Sequence, residues 1–201
     1  MTRYSDGRER INLGTGNYIG LAGDPRVIEA AAAALAQYGT STAGSRVLNG
    51  TTGLHLALEE ELADHYGMEA AVLTSSGVNA NVALLSTVCG PEDVLLVDGR
   101  VHASLHAAAA ASRGTALRWR HNDLHSLVGR LESIDPRAGA VVVVDGVYSM
   151  TGEVAPLADI TELCARHGAA WSSTRRTASA SSARPAGVRP SSSACSPAST
   201  R

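Results

Sequence analysis

Two runs of consecutive aliphatic residues, Val94-Leu95-Leu96-Val97 and Val141-Val142-Val143-Val144, limit the possible folds of this chain most tightly. A strand with one wet face alternates apolar and polar residues, whereas a strand that is apolar throughout has both faces covered. Helix-like segments flank each run, and this alternation predicts an α/β fold: a parallel sheet with helices on both faces. Asp24 can cap a helix that has Pro25 in its first turn, reaches Tyr38 and stops at Gly39. Thr51 or Thr52 can cap a second helix, carrying Leu54, Leu58 and Leu62 and ending near Gly67. Residues 70–74 read as another buried strand, followed by Ser75-Ser76-Gly77 and a helix through Leu85. Helices over 103–111, 124–131 and 156–167 and a strand at 117–119 complete the pattern.

With 201 residues, 44% of them hydrophobic, the chain can bury a core. A net charge of -2 argues against nucleic acid or an acidic membrane surface as partner. No apolar run approaches the roughly 20 residues that span a bilayer. The start, Met1 to Asp6, is too polar for a signal peptide, so a cytoplasmic placement is expected. Cys89, Cys164 and Cys195 lack metal-ligand or disulfide-framework spacing, so no metal is expected. All 17 basic residues are arginine, and lysine and phenylalanine are missing, as in a GC-rich coding sequence. At Trp171 the composition changes. Residues 172–201 carry five arginines and no acid, among mostly Ser, Ala, Pro and Thr. Such a segment buries too little apolar surface to offset its ordering entropy, and is expected to be a disordered tail after a folded 1–171.

Five polar segments stand out. Asn17-Tyr18-Ile19-Gly20-Leu21 can be a plain turn, and Gly44-Ser45-Arg46-Val47-Leu48-Asn49-Gly50-Thr51 a plain loop. Thr74-Ser75-Ser76-Gly77-Val78-Asn79 opens a helix, where free backbone N–H groups and the helix dipole make a ready anion site, although many such turns bind nothing. Asp98 to Ser104 and Asp145 to Glu153 each follow a strand, and ligands of open α/β sheets sit at strand carboxyl ends. The bland alternatives are a helix-capping region in which His102 packs, and a β-turn at Gly152. Arg120-His121-Asn122-Asp123 reads as a helix start with Asp123 as N-cap.

In order, these segments resemble the α-oxoamine synthase family of pyridoxal 5'-phosphate (PLP) enzymes over about residues 11–171. The marks are Asn17 to Leu21, Gly44-Ser45-Arg46, Gly50-Thr51, Leu58-Glu59, Leu62-Ala63, Ser76-Gly77, Ala80-Asn81, His102-Ala103-Ser104, His121-Asn122-Asp123 and Gly146 to Met150. The resemblance implies the front, incomplete part of a fold-type-I PLP-dependent transferase large domain. It implies that Ser76, Gly77 and Val78 cradle the cofactor phosphate, with Val78 where the family often has an aromatic residue. His102 would stack on the pyridine ring and help place substrate, Ser149 would reach the phenolic oxygen, Asp145 would lie beside the cofactor, and Asn17 would lie near the amino-acid carboxylate. The implied activity is acyl transfer from acyl-CoA to an amino acid, in a homodimer.

That chemistry needs a lysine to hold PLP covalently and move a proton, and an acid to keep the pyridinium charged. This chain has no lysine, so covalent attachment by a side chain is impossible, no catalytic residue is assigned, and an inactive truncation is expected. In the family the acid lies in an Asp-Glu-Ala-His strand end just after the segment matching residues 157–171. GC-rich codons for residues 170–182, read from the last base of the Trp171 codon, can spell Val-Val-Asp-Glu-Ala-His-Gly. One lost base near that codon, leaving 172–201 out of frame, is therefore expected, and a sheet ending near Trp171 would leave Val141 to Val144 uncovered at an edge. Two other functional readings are a lysine-less partner subunit of a serine palmitoyltransferase-like pair and another fold-type-I aminotransferase.

Overall fold

The computed structural model describes residues 2–3, 6–11, 14–175 and 179–183. Contacts divide the chain into two compact units, residues 1–72 and 73–201.

In the first unit, β1 (Thr2–Arg3) pairs antiparallel with β2 (Glu9–Arg10), and two helices follow, α1 (Pro25–Tyr38) and α2 (Gly53–Tyr66). The Asp24 carboxylate accepts the Arg26 N–H at 2.9 Å, Pro25 supplies a preset φ at the first turn, and Gly39 ends the helix, as expected. Thr52 and His55 cap α2 reciprocally, and Gly67 closes it in the left-handed region at φ +62. Between the helices the Arg46 guanidinium grips Glu59 through two bonds of 2.6 and 3.0 Å. Gly50 cannot be substituted there, because a Cβ would overlap the Gly44 carbonyl.

The second unit is a five-stranded sheet in the order β4-β3-β5-β6-β7, with β3 (Val94–Asp98), β4 (Thr115–Trp119), β5 (Ala140–Asp145), β6 (Ala170–Arg175) and β7 (Ser179–Ala183). The first four run parallel and β7 returns antiparallel along β6. The helices are α3 (Gly77–Val88), α4 (Ala103–Ala111), α5 (Leu124–Glu132) and α6 (Leu157–His167). From β3 the chain steps outward to β4, then back past β3 to β5 and on to β6. Right-handed crossovers therefore place α4 on one face and α5 and α6 on the other, consistent with the packing of α3 on α4 and of α5 on α6. Leu85, Leu95, Leu96, Leu105, Leu127, Val142, Val143, Val144 and Ile160 fill the core. At the amino ends of the strands, Asp93 accepts from the Gly90 and Gly139 amides, joining the entrances of β3 and β5.

Three expectations fail. Residues 70–74 form no strand, and Val72, in the middle of the run, is 83% exposed: an apolar run favours burial but does not by itself make a strand. Val141 to Val144 is not an uncovered edge, because β3 and β6 flank it on both sides. The expected start of a disordered tail at residue 172 falls inside β6, and Ser172 and Ser173 are only 3% and 2% exposed. Strand pairing uses the backbone, so small Ser and Thr side chains can occupy a place beside β5 that their polarity does not favour. The rest of the expected tail, residues 176–178 and 184–201, lies outside the described residues.

Candidate functional site

The strand order reverses between β3 and β5, and in parallel sheets the crevice at such a reversal, beyond the carboxyl ends, is where ligands fit. Asp98 ends β3 and Asp145 ends β5. Both are buried, and both are met by backbone donors. Asp98 is wholly enclosed and accepts from the amides of Arg100 at 2.8 Å and Asn122 at 3.0 Å, with His121 Nδ1 at 2.9 Å. The other nitrogen of His121 lies 3.1 Å from Glu153, and its ring meets Tyr148 edge-on at 4.4 Å. Burial, reinforced by the Asp98 carboxylate, holds the Tyr148 phenol well above its ordinary ionisation range. Glu153 is held below the ordinary carboxylate range, first by the Thr151 hydroxyl and then by His121.

Asp145 Oδ2 accepts the His102 backbone N–H at 2.7 Å, and its Oδ1 accepts the Thr174 hydroxyl. The loop from β3 to α4 is thus pinned at Arg100 by one buried carboxylate and at His102 by another. His102 then caps α4: its Nδ1 accepts the Ser104 N–H at 3.2 Å and lies 2.8 Å from the Ser104 hydroxyl. Its ring is otherwise exposed.

Helix α3 runs back along the sheet before β3, so its first turn lies at this same end of the strands. Ser76 caps it, its hydroxyl accepting the Asn79 N–H at 3.2 Å. Among the described residues no acceptor meets the Gly77 and Val78 amides, and all three residues are exposed. One turn on, Asn81 Nδ2 donates to the Ser104 hydroxyl at 2.9 Å, joining the start of α3 to the start of α4.

The expected residues therefore fall into groups. Ser76, Gly77, Val78, His102 and Asp145 surround the strand ends of the second unit. Ser149 lies exposed at the tip of the 146–155 hairpin, which the Val147–Val154 bridge and the turn at Gly152 close. Asn17 belongs to the first unit, where its Oδ1 accepts the Ala22 N–H at 3.2 Å and shapes the turn into α1. Asp123 caps α5 as expected. The cluster of Asp98, His121, Tyr148 and Glu153 was missed by the reading of residues 120–123 as a helix start alone. The available signal was that His121 stands just past a strand end.

The aminotransferase class I and II family model matches residues 8–171. The chain belongs to that family. Among its members it is similar to a serine palmitoyltransferase of Bacteriovorax stolpii, 43% identical over 81% of this chain and 39% of the relative. It is also similar to a putative 8-amino-7-oxononanoate synthase 2 of Mycobacterium tuberculosis, 46% identical over 80% of this chain and 21% of that protein. The solved serine palmitoyltransferase of S. paucimobilis with bound PLP-myriocin aldimine superposes with a TM-score of 0.77 at 38% identity, over 79% of this chain and 40% of that one. The chain thus spans two-fifths or less of the lengths of these class I and II relatives. They are of the α-oxoamine synthase type, and PLP is the cofactor of the family.

Proposed function

We propose that this chain is the front part of a PLP-dependent α-oxoamine synthase, which joins an amino acid to the acyl group of an acyl-CoA, and that the chain alone is inactive. One observation carries the reading: two helix starts, one with open amides and one with an anchored histidine, are joined by Asn81 and Ser104 at the strand-reversal crevice.

The residues fit part of the cofactor. The Gly77 and Val78 amides and the α3 dipole suit a phosphate, and nothing lies within 4 Å of a Cβ at Gly77 to obstruct its approach. The exposed His102 ring suits the flat face of a pyridine. Nothing fits the reactive carbon, because the chain has no lysine. When bound, PLP supplies an electron sink for breaking a bond at the amino-acid α-carbon. Here Ser76 would hold the phosphate turn in shape and His102 would cover the ring, while Ser149 is exposed at the hairpin tip and Asn17 shapes the turn into α1. Asp145 has both oxygens engaged by His102 and Thr174, so its role is to place the His102 loop.

The family match stops at residue 171 while β6 continues. The two serines that follow are buried, and the Ser173 hydroxyl has no hydrogen-bond partner among the described residues. This supports out-of-frame translation after Trp171, since the shifted reading puts valine at 172 and 173 and the acid at 174. An intact partner subunit would be expected to carry apolar residues there.

Titrating the purified chain with PLP tests the proposal. Weak, reversible binding is expected, competed by inorganic phosphate and weakened several-fold by His102→Ala. Borohydride should leave no stable label on an internal peptide. Turnover of acyl-CoA, a borohydride-stable internal label, or binding indifferent to phosphate would each sink it.

A further inference from the structure

Asn81 and Ser104 form a buried polar pair between two helices whose other enclosed residues, Leu85, Leu105, Ala108 and Ala109, are apolar. A buried polar contact in such an interface is costly unless fully satisfied, and the geometry shows how this one is satisfied. A backbone N–H can only donate, so the Ser104 amide on His102 Nδ1 requires that nitrogen to be bare. The Asn81 amide group fills an acceptor site of the Ser104 hydroxyl, leaving its proton to the remaining neighbour, the same Nδ1 at 2.8 Å. A neutral imidazole with a bare Nδ1 carries its proton on Nε2.

We infer that Ser104 is a positioning residue that locks His102 in the Nε2–H tautomer, and that Asn81 aims the Ser104 hydroxyl. The ring then offers one N–H donor, directed away from the helix, on the side open to solvent. That an anionic substrate group would meet this donor rests on the proposed function; the tautomer itself does not.

The test is footprinting of the cofactor-free full chain with diethyl pyrocarbonate, which acylates the bare nitrogen of a histidine, read peptide by peptide by mass spectrometry. In the locked form Nδ1 is covered by two donors and Nε2 is protonated. His102, although exposed, should therefore react more slowly than the exposed His125 and His167. Ser104→Ala removes one hydrogen bond and should raise the His102 rate roughly three- to tenfold. Ser104→Thr, which keeps the hydroxyl, should restore protection. His121, engaged at both nitrogens, reports whether the strand ends stay folded. If its rate also rises in Ser104→Ala, the wild-type and Ser104→Thr rates decide. A wild-type His102 as fast as His125, or a Ser104→Ala rate unchanged with His121 still slow, overturns the inference. Because no PLP is present, failed cofactor binding would leave this result standing, and a fast His102 would overturn the lock even if PLP binds.

Discussion

Replacing Ser173 with alanine should make the second unit more stable, the reverse of the usual effect of a mutation in a buried strand. Ser173 is 2% exposed, and its hydroxyl is buried without a partner among the described residues. An unsatisfied buried hydroxyl costs about 1–3 kcal/mol. Alanine removes it and leaves a void smaller than a methyl group, costing a few tenths of a kcal/mol at about 24 cal/mol per Å3. The expected net gain is about 1–2 kcal/mol. Valine would add apolar volume at about 0.8 kcal/mol per methylene, opposed by about 1–3 kcal/mol of overpacking, so alanine is the cleaner test. Urea unfolding followed by the fluorescence of the buried Trp119 reads the change. With a slope of about 1–3 kcal/mol per molar urea, the midpoint should rise by roughly 0.5–1.5 M. An Ser173→Ala midpoint equal to or below wild type at unchanged slope would refute the claim that β6 carries a residue at odds with its surroundings.

Asp98→Asn should destabilise the same unit by about 2–4 kcal/mol, because charge-assisted bonds to the Arg100 and Asn122 amides weaken together; a urea midpoint within error of wild type would count against the pinning role. Glu153 has a folded-state pKa below its reference of 4.5, so its contribution is present above that value and fades as pH falls through the lowered one. The stability difference between wild type and Glu153→Gln at neutral pH should therefore close in acid, and a difference independent of pH would show that the carboxylate plays no such part. The natural DNA, read with one base restored before the Trp171 codon, should continue openly through the aspartate motif to a later lysine; an early stop in that frame would dispose of the frameshift.

The alternation of strands and helices was legible because burial on both faces leaves its mark at every position of Val94 to Val97 and Val141 to Val144. The caps at Asp24 and Asp123 were legible because each rests on one side chain and the turn beside it. Residues 70–74 misled, because an apolar run records a preference for burial and does not by itself specify a strand. The site was legible as a set of segments, and the contacts within it were not. His102 and Asp145 are 43 positions apart, and nothing local to either shows that a backbone N–H of one meets the carboxylate of the other. His121 was hidden by its neighbour: Asp123 gave the segment a sufficient reason to exist.

The hydrogen bond between Asn81 and Ser104 makes the two helix starts one thermodynamic system. If an anion on the Gly77 and Val78 amides steadies the first turn of α3, it steadies through Asn81 the hydroxyl that holds the His102 ring. Linkage makes this reciprocal: by whatever factor phosphate favours the anchored ring, the anchored ring favours phosphate. Loosening Ser104 should therefore be felt as lost anion affinity at a helix that it does not belong to.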